Sequence, residues 1–238
     1  MEESLSVLIT GGGRGIGRAI ALRFARPGVL VCVAARSRHE IEAVAAEVSA
    51  RGARGLAVPM DVTDLDSVEK GMHRALDASS GRLDVLVNNA GVFSIHPFAE
   101  LSPATWYRTL ATNLTGPFHV TLLALRGLEQ SRRAHVFNLS SIAGKQAFPG
   151  NVAYCASKYG LRGFSDALRQ DFAARGIRVS TVYPSATDTT IFDGVPGDWE
   201  RDRMNQPADV AEVVWRAYQA PADADVADLD VPRPLTRD

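Results

Sequence analysis

An apolar run, LSVLI (5–9), leads directly into TGGGRGIGRAI (10–20), and a helical pattern takes over at about residue 15. Glycines at a strand-to-helix junction let the backbone turn sharply and approach a ligand closely. The helix that follows presents free N–H groups and the positive end of its dipole, which favours an anion such as a phosphate. The spacing separates the known nucleotide loops. A GxxxxGK[ST] loop needs Lys and then Ser or Thr where Arg18 and Ala19 stand, which disfavours phosphoryl transfer. GxGxxG fails in every register, while G-x-x-x-G-x-G fits through Gly11, Gly15 and Gly17. A glycine-rich turn is also a common structural device, so the loop alone leaves both readings open.

The strand-then-helix pattern repeats along the chain. Strand-like runs fall at 5–9, 29–34, 54–59, 83–88, 134–140, 177–183 and 226–231, with helical periodicity at about 15–26, 39–51, 64–79, 103–127, 152–175 and 207–219. The strand runs are almost continuously apolar, as in a parallel sheet covered on both faces. Pro27-Gly28 stops the first helix, Ser102-Pro103 opens another, and Gly176 closes the long helix that begins near 152. No repeat or linker divides the pattern. The expectation is one α/β domain over 1–238, a Rossmann-like doubly wound parallel sheet of about seven strands with helices on both faces.

Composition narrows the partners. A net charge of −1 over 238 residues gives no electrostatic footprint for nucleic acid or a membrane surface. The apolar run at the N-terminus is too short for a signal peptide or a membrane span. Cys32 and Cys155 lie far apart without metal-ligand spacing, so no metal is expected, and a reduced, cytoplasmic compartment is the simplest inference.

The second strand ends in CVAARSR (32–38). Dinucleotide folds often carry Asp or Glu there to bind the adenosine ribose. Ala35 supplies no carboxylate, whereas Arg36 and Arg38, with Arg14 from the glycine loop, supply guanidinium groups that suit a 2′-phosphate. This points to NADP(H) in preference to NAD(H); the competing reading is that these arginines are solvated loop charges.

VAYCASKYGLRGF (152–164) sets Tyr154 and Lys158 one helical turn apart on a common face. The pair is either a surface coincidence or an acid with the cation that tunes it. An unperturbed phenol, with a pKa of about 10, is a poor acid–base catalyst at neutral pH. A nearby ammonium lowers that value, and catalysis improves as the pKa nears the working pH. The expectation is therefore that Lys158 depresses the Tyr154 pKa. In ATNLTGPFHV (111–120), Pro117 cannot donate to the Asn113 carbonyl four residues earlier. A kink near Gly116-Pro117 is expected, with the freed carbonyl bonded either to an ordered water on the Lys158 side or simply to solvent.

TGGGRGIG, MDVTD, NNAG (88–91), NLSS (138–141) and YCASK (154–158) occur in this order, and together they resemble the short-chain dehydrogenase/reductase family over about residues 5–190. The resemblance implies an oxidoreductase passing a hydride between a nicotinamide and a ketone or secondary alcohol. It implies Tyr154 as general acid/base and Lys158 as a ribose ligand as well. Ser141, in preference to Ser140, would hold the substrate oxygen, and Asn113 would support a water-linked proton relay.

The resemblance places the cofactor against Gly11, Arg14, Gly15, Ile16 and Gly17 of the glycine loop, Arg36, and Asp61-Val62 at the adenine. It adds Asn88, Ala90 and Gly91 after the fourth strand, with Asn89 bracing the sheet and Thr10 anchoring the loop. YPSATDTT contributes Pro184, Thr187 and Thr189 but carries Ser185 where the family has glycine. A homodimer or homotetramer is implied, often through the helices at 103–127 and 152–175. A regulator that binds NADP(H) without chemistry is the alternative. A sugar-nucleotide epimerase fits less well, since such chains are longer.

Three loops follow the strand ends: 92–98, 142–150 and 185–206. Phe93, Ile95, Phe148, Phe192 and Trp199 are candidates for an apolar substrate wall. The segment at about 187–206 reads as a mobile lid that orders on binding.

Overall fold

The computed structural model describes residues 5–197, 199–221 and 224–233. Seven parallel strands, β1 (Leu5–Thr10), β2 (Val29–Ala35), β3 (Arg54–Pro59), β4 (Val85–Asn88), β5 (His135–Leu139), β6 (Arg178–Pro184) and β7 (Asp228–Val231), form one sheet in the order β3-β2-β1-β4-β5-β6-β7. The sheet grows in one direction from β1 to β3 and then in the other from β4 onward. The reversal opens a crevice at the carboxyl ends of β1 and β4, where ligands of such sheets bind.

Period-two alternation explains the two layers. Val7 and Ile9 of β1 and Val29, Val31 and Val33 of β2 face one core, with Phe24, Ile41, Val44 and Trp215. Leu8, Leu30, Cys32 and Ala34 face the other, with Met72, Val120, Ala124, Leu128 and Phe172. The first core is covered by α1 (Gly15–Phe24), α2 (Arg38–Ala50) and α7 (Pro207–Gln219), and the second by α3 (Leu65–Ala78), α5 (Gly116–Leu128) and α6 (Val152–Ala173). Each fully buried aliphatic side chain contributes about 1.5–3 kcal/mol, so the paired strands are fixed in register by burial on both faces.

The expected long helix at 103–127 is divided. α4 (Pro103–Leu110) runs into a π-helical turn, Ala111–Thr115, and then into α5. The Gly116 N–H donates to the Ala111 carbonyl, a five-residue step that arises where Pro117 removes the next donor. This widened turn carries Asn113, which is almost fully buried.

Candidate active site

The crevice, about 610 Å³, is lined by Gly11, Arg14, Gly15, Ile16, Arg36, Asp61, Val62, Ala90, Gly91, Tyr154, Lys158, Pro184 and Thr189, all singled out from the sequence. It is also lined by residues the sequence did not suggest, among them Glu40 and Leu139, and by Ser140, there the alternative to Ser141. Their signal is topological: each stands at or just beyond a strand end, or on the first turn of the following helix.

The glycine loop is shaped by necessity. Gly11 and Gly15 adopt φ of +62° and +52°, in the left-handed region that disfavours other residues. The Gly12 N–H donates to the Ala34 carbonyl at 3.1 Å, tying the loop to the end of β2. Gly17 does not line the crevice; a Cβ there would lie 2.3 Å from the Gly11 carbonyl oxygen, so its role is to let α1 close on the loop. α1 has no side-chain cap and no acidic residue in its first turn. Its open N–H groups at the crevice suit a phosphate, and the donor set fits a dinucleotide.

The expected roles of the two asparagines are exchanged. Asn88 is buried, and its side-chain amide donates to Asn138 Oδ1 at 2.8 Å and Thr121 Oγ1 at 2.9 Å, bracing β4 against β5 and α5. Asn89 instead donates to the Thr10 and Gly11 carbonyls at 2.9 and 3.1 Å and so holds the glycine loop. The reason is alternation: Asn88 ends the strand pointing into a layer, and Asn89 is the first residue free to turn over the loop. Thr10 does anchor this junction, accepting from the Asn89 and Ala90 N–H groups at 3.0 and 3.1 Å.

At the adenosine end, Asp61 Oδ1 accepts from the Thr63 N–H at 3.0 Å and hydroxyl at 2.7 Å, and Arg36 lies 4.0 Å from Oδ2. Burial pushes the Asp61 carboxyl up, but these donors and Arg36 outweigh it and hold the pKa below the ordinary value. Arg14 lies 3.6 Å from Glu40, and both are partly exposed.

Tyr154 and Lys158 both face the crevice, with the Lys158 ammonium 5.6 Å from the Tyr154 ring centre. The expected depression of the phenol is not found. Burial pushes Tyr154 up to about 12, against the lowering effect of a hydrogen bond with Ser141. Burial also brings Lys158 down to about 8. The ammonium donates to the Leu139 carbonyl at 2.7 Å, so it is held by the end of β5 and not by the phenol. Desolvation opposes both charged forms here and outweighs an attraction across this distance.

Ser141 accepts from the Ala143 N–H at 3.1 Å, which caps a single 3-10 turn and fixes its hydroxyl beside Tyr154. Ser140 donates to the Lys158 carbonyl at 3.2 Å and braces α6. Asn113 forms a pair of bonds with Val92, accepting from its N–H at 2.8 Å and donating to its carbonyl at 2.9 Å, and also reaches Ser157 at 3.1 Å. The Gly91 backbone passes between these groups: a Cβ there would stand in ordinary contact, 3.5 Å from Asn113 Oδ1 and 3.9 Å from the Lys158 ammonium.

Ser185 fills the family glycine position without strain, since it is not among the residues at positive φ. Its hydroxyl accepts from Asn205 at 2.9 Å, and its N–H donates to the Val231 carbonyl at 3.0 Å. Thr187 is buried, bridges to Asn205 and donates to the Ser185 carbonyl at 3.0 Å, so it closes the base of the loop and does not line the crevice.

The segment read as a lid, which includes Asp198 outside the described residues, is held by Arg201. This guanidinium donates to Asp188 at 3.1 Å and Asp193 at 2.7 Å. Phe192 and Trp199 of the same loop pack on each other and on Phe93.

The family model described as short chain dehydrogenase matches residues 6–198. A 3-oxoacyl-[acyl-carrier-protein] reductase of Haemophilus influenzae is 35% identical over 91% of this chain and 90% of its own. A sepiapterin reductase of Chlorobaculum tepidum is 32% identical over 98% and 97%. Among solved structures, an alcohol dehydrogenase from Thermococcus sibiricus complexed with 5-hydroxy-NADP superposes with a TM-score of 0.89 at 27% identity, covering 97% of both chains. A metagenomic short-chain oxidoreductase in complex with NADP gives 0.84 at 30% identity, covering 98% of this chain and 99% of that one.

Proposed function

The chain belongs to the short-chain dehydrogenase family and is an oxidoreductase, and from this we propose that it interconverts a ketone and its secondary alcohol with NADP(H). The observation that carries the reading is that Tyr154 and Lys158 line the crevice beside the glycine loop, with the Ser141 hydroxyl hydrogen-bonded to Tyr154. When bound, the nicotinamide cofactor supplies or accepts the hydride. Tyr154 donates its phenolic proton to the substrate oxygen in reduction, and its phenolate recovers a proton in oxidation. Ser141 donates a hydrogen bond to the same oxygen and positions it. Lys158 holds ribose hydroxyls, and the Asn113 carbonyl, to which Pro117 has no N–H to offer, takes a water that returns protons through Lys158.

Gly11, Gly15, Ile16 and the start of α1 would hold the pyrophosphate, with Gly17 supporting the loop from behind. Asp61 and Val62 would hold the adenine. Ala90 and Gly91 would pass behind the riboses, and Pro184 and Thr189 would meet the nicotinamide. The reading is tested by following NADPH oxidation at 340 nm, a wavelength set by the reduced nicotinamide, against a panel of ketones. Tight NADPH binding with no turnover on any of them would favour the regulator.

The preference for NADP(H) rests on Arg36 and Arg14. Arg36 is largely exposed at the crevice rim, with only a 4.0 Å contact to Asp61 to give up. Arg36→Ala is expected to weaken NADPH binding about tenfold or more and NADH binding by less than about twofold, since charge-assisted bonds to a phosphate contribute about 1.5–3 kcal/mol. Equal loss for both cofactors, measured by fluorescence titration, would remove Arg36 from this role.

A homodimer or homotetramer is part of the proposal. Tyr107, Phe118, Leu122 and Tyr159 are exposed apolar residues on α4, α5 and α6. Such side chains are costly to leave in water. Leu122→Glu is expected to reduce the particle mass in sedimentation; a monomeric parent protein would eliminate the oligomer.

A further inference from the structure

We infer, on the basis of the carbonyl-reductase reading above, that the substrate is an uncharged ketone whose aromatic or alicyclic ring lies against Phe93, Phe192 and Trp199. Phe93 meets the Tyr154 ring edge-to-face at 4.8 Å, directly beside the group assigned to proton transfer. Phe192 and Trp199 extend this surface at 5.5 and 6.1 Å from Phe93. The three rings come from two separate loops and are only partly buried, so ring surface remains open to a ligand. The indole N–H of Trp199 is already bonded to the Val195 carbonyl at 3.0 Å, so the wall offers apolar faces and no free donor. Rings of this kind favour another ring, at an offset or an edge.

Charge points the same way. The lysines and arginines of the loops at 92–98, 142–150 and 185–206 are Lys145, Arg201 and Arg203. Each has an acidic partner: Asp230 at 2.5 Å, Asp188 and Asp193 at 3.1 and 2.7 Å, and Glu200 at 2.7 Å. Among the described residues of the segment 187–206, Asp202 is the charged side chain left without an ion-pair partner, and it repels anions. A carboxylate or phosphate on the substrate would enter an apolar wall whose loops offer it no unpaired lysine or arginine among the described residues.

The test compares NADPH-dependent reduction of acetophenone, 4-acetylbenzoate, acetoacetyl-coenzyme A and acetone. Acetophenone should exceed both anionic substrates in kcat/KM by at least about tenfold. Phe192→Leu should lower the ratio of acetophenone to acetone about fivefold, chiefly through KM, as the loss of one ring contact predicts. An NADPH titration of the variant confirms its fold, and Trp199→Leu repeats the measurement if that variant does not bind. Equal or faster reduction of either anion, or an unchanged ratio, overturns the inference while leaving the reductase reading in place. NADPH binding without reduction of any ketone overturns both.

Discussion

Tyr154→Phe is expected to lower ketone turnover about 10³-fold, within the range that a positioned general acid contributes, while NADPH affinity stays within about threefold. The substitution keeps the ring that packs on Phe93 and deletes only the hydroxyl. Without cofactor that hydroxyl is protonated throughout the neutral range, because burial pushes it up to about 12. Reduction therefore begins with its proton in place, whereas alcohol oxidation needs the phenolate and should accelerate as pH rises. Steady-state rates in both directions, with stopped-flow binding of NADPH to the variant, check the assignment. Retained turnover would transfer the acid role elsewhere. Loss of cofactor affinity in step with turnover would reduce Tyr154 to a binding residue.

The sheet was legible because burial on both faces makes the central strands largely apolar, β2 without exception, and β1, β2 and β3 run within a residue of the sequence-derived limits. Helix α4–α5 was harder. Pro117 announces an interruption, but a sequence does not say whether the ladder bends or widens, and here it widens around Asn113. The site was legible in its residue types because TGGGRGIG and YCASK carry the backbone and side-chain requirements locally. What escaped was anything set by three-dimensional surroundings. Asn88 and Asn89 exchange roles because one residue of strand decides which face each side chain takes. The Tyr154–Lys158 relation inverts because helical spacing shows the pair on one face but not the desolvation around it. Glu40, which sits against Arg14, reads in sequence as an ordinary first-turn helix acid.

That desolvation makes the second large prediction. Lys158→Met is expected to stabilise the cofactor-free protein at neutral pH by about 2 kcal/mol while abolishing its chemistry. Burial brings Lys158 down to about 8 from 10.5, so the unfolded chain takes up the proton more readily than the folded one. The charged lysine therefore costs stability in full below about pH 8, on the order of 3 kcal/mol at about 1.4 kcal/mol per pKa unit. The cost falls away as pH rises through the interval from 8 to 10.5. Against this, methionine loses the bond to the Leu139 carbonyl, about 1 kcal/mol for an acceptor that water in the crevice can reach. Tyr154 contributes with the opposite sign, since its raised value makes the folded state lose stability from 10 to 12, and it does so in both proteins. Urea midpoints of parent and variant at pH 7.5, 9 and 10 would show a gap favouring the variant that narrows and then reverses with rising pH. A variant less stable at pH 7.5, or a gap that ignores pH, would mean that Lys158 is comfortably solvated. The desolvation cost assigned to its buried ammonium would then have to be abandoned.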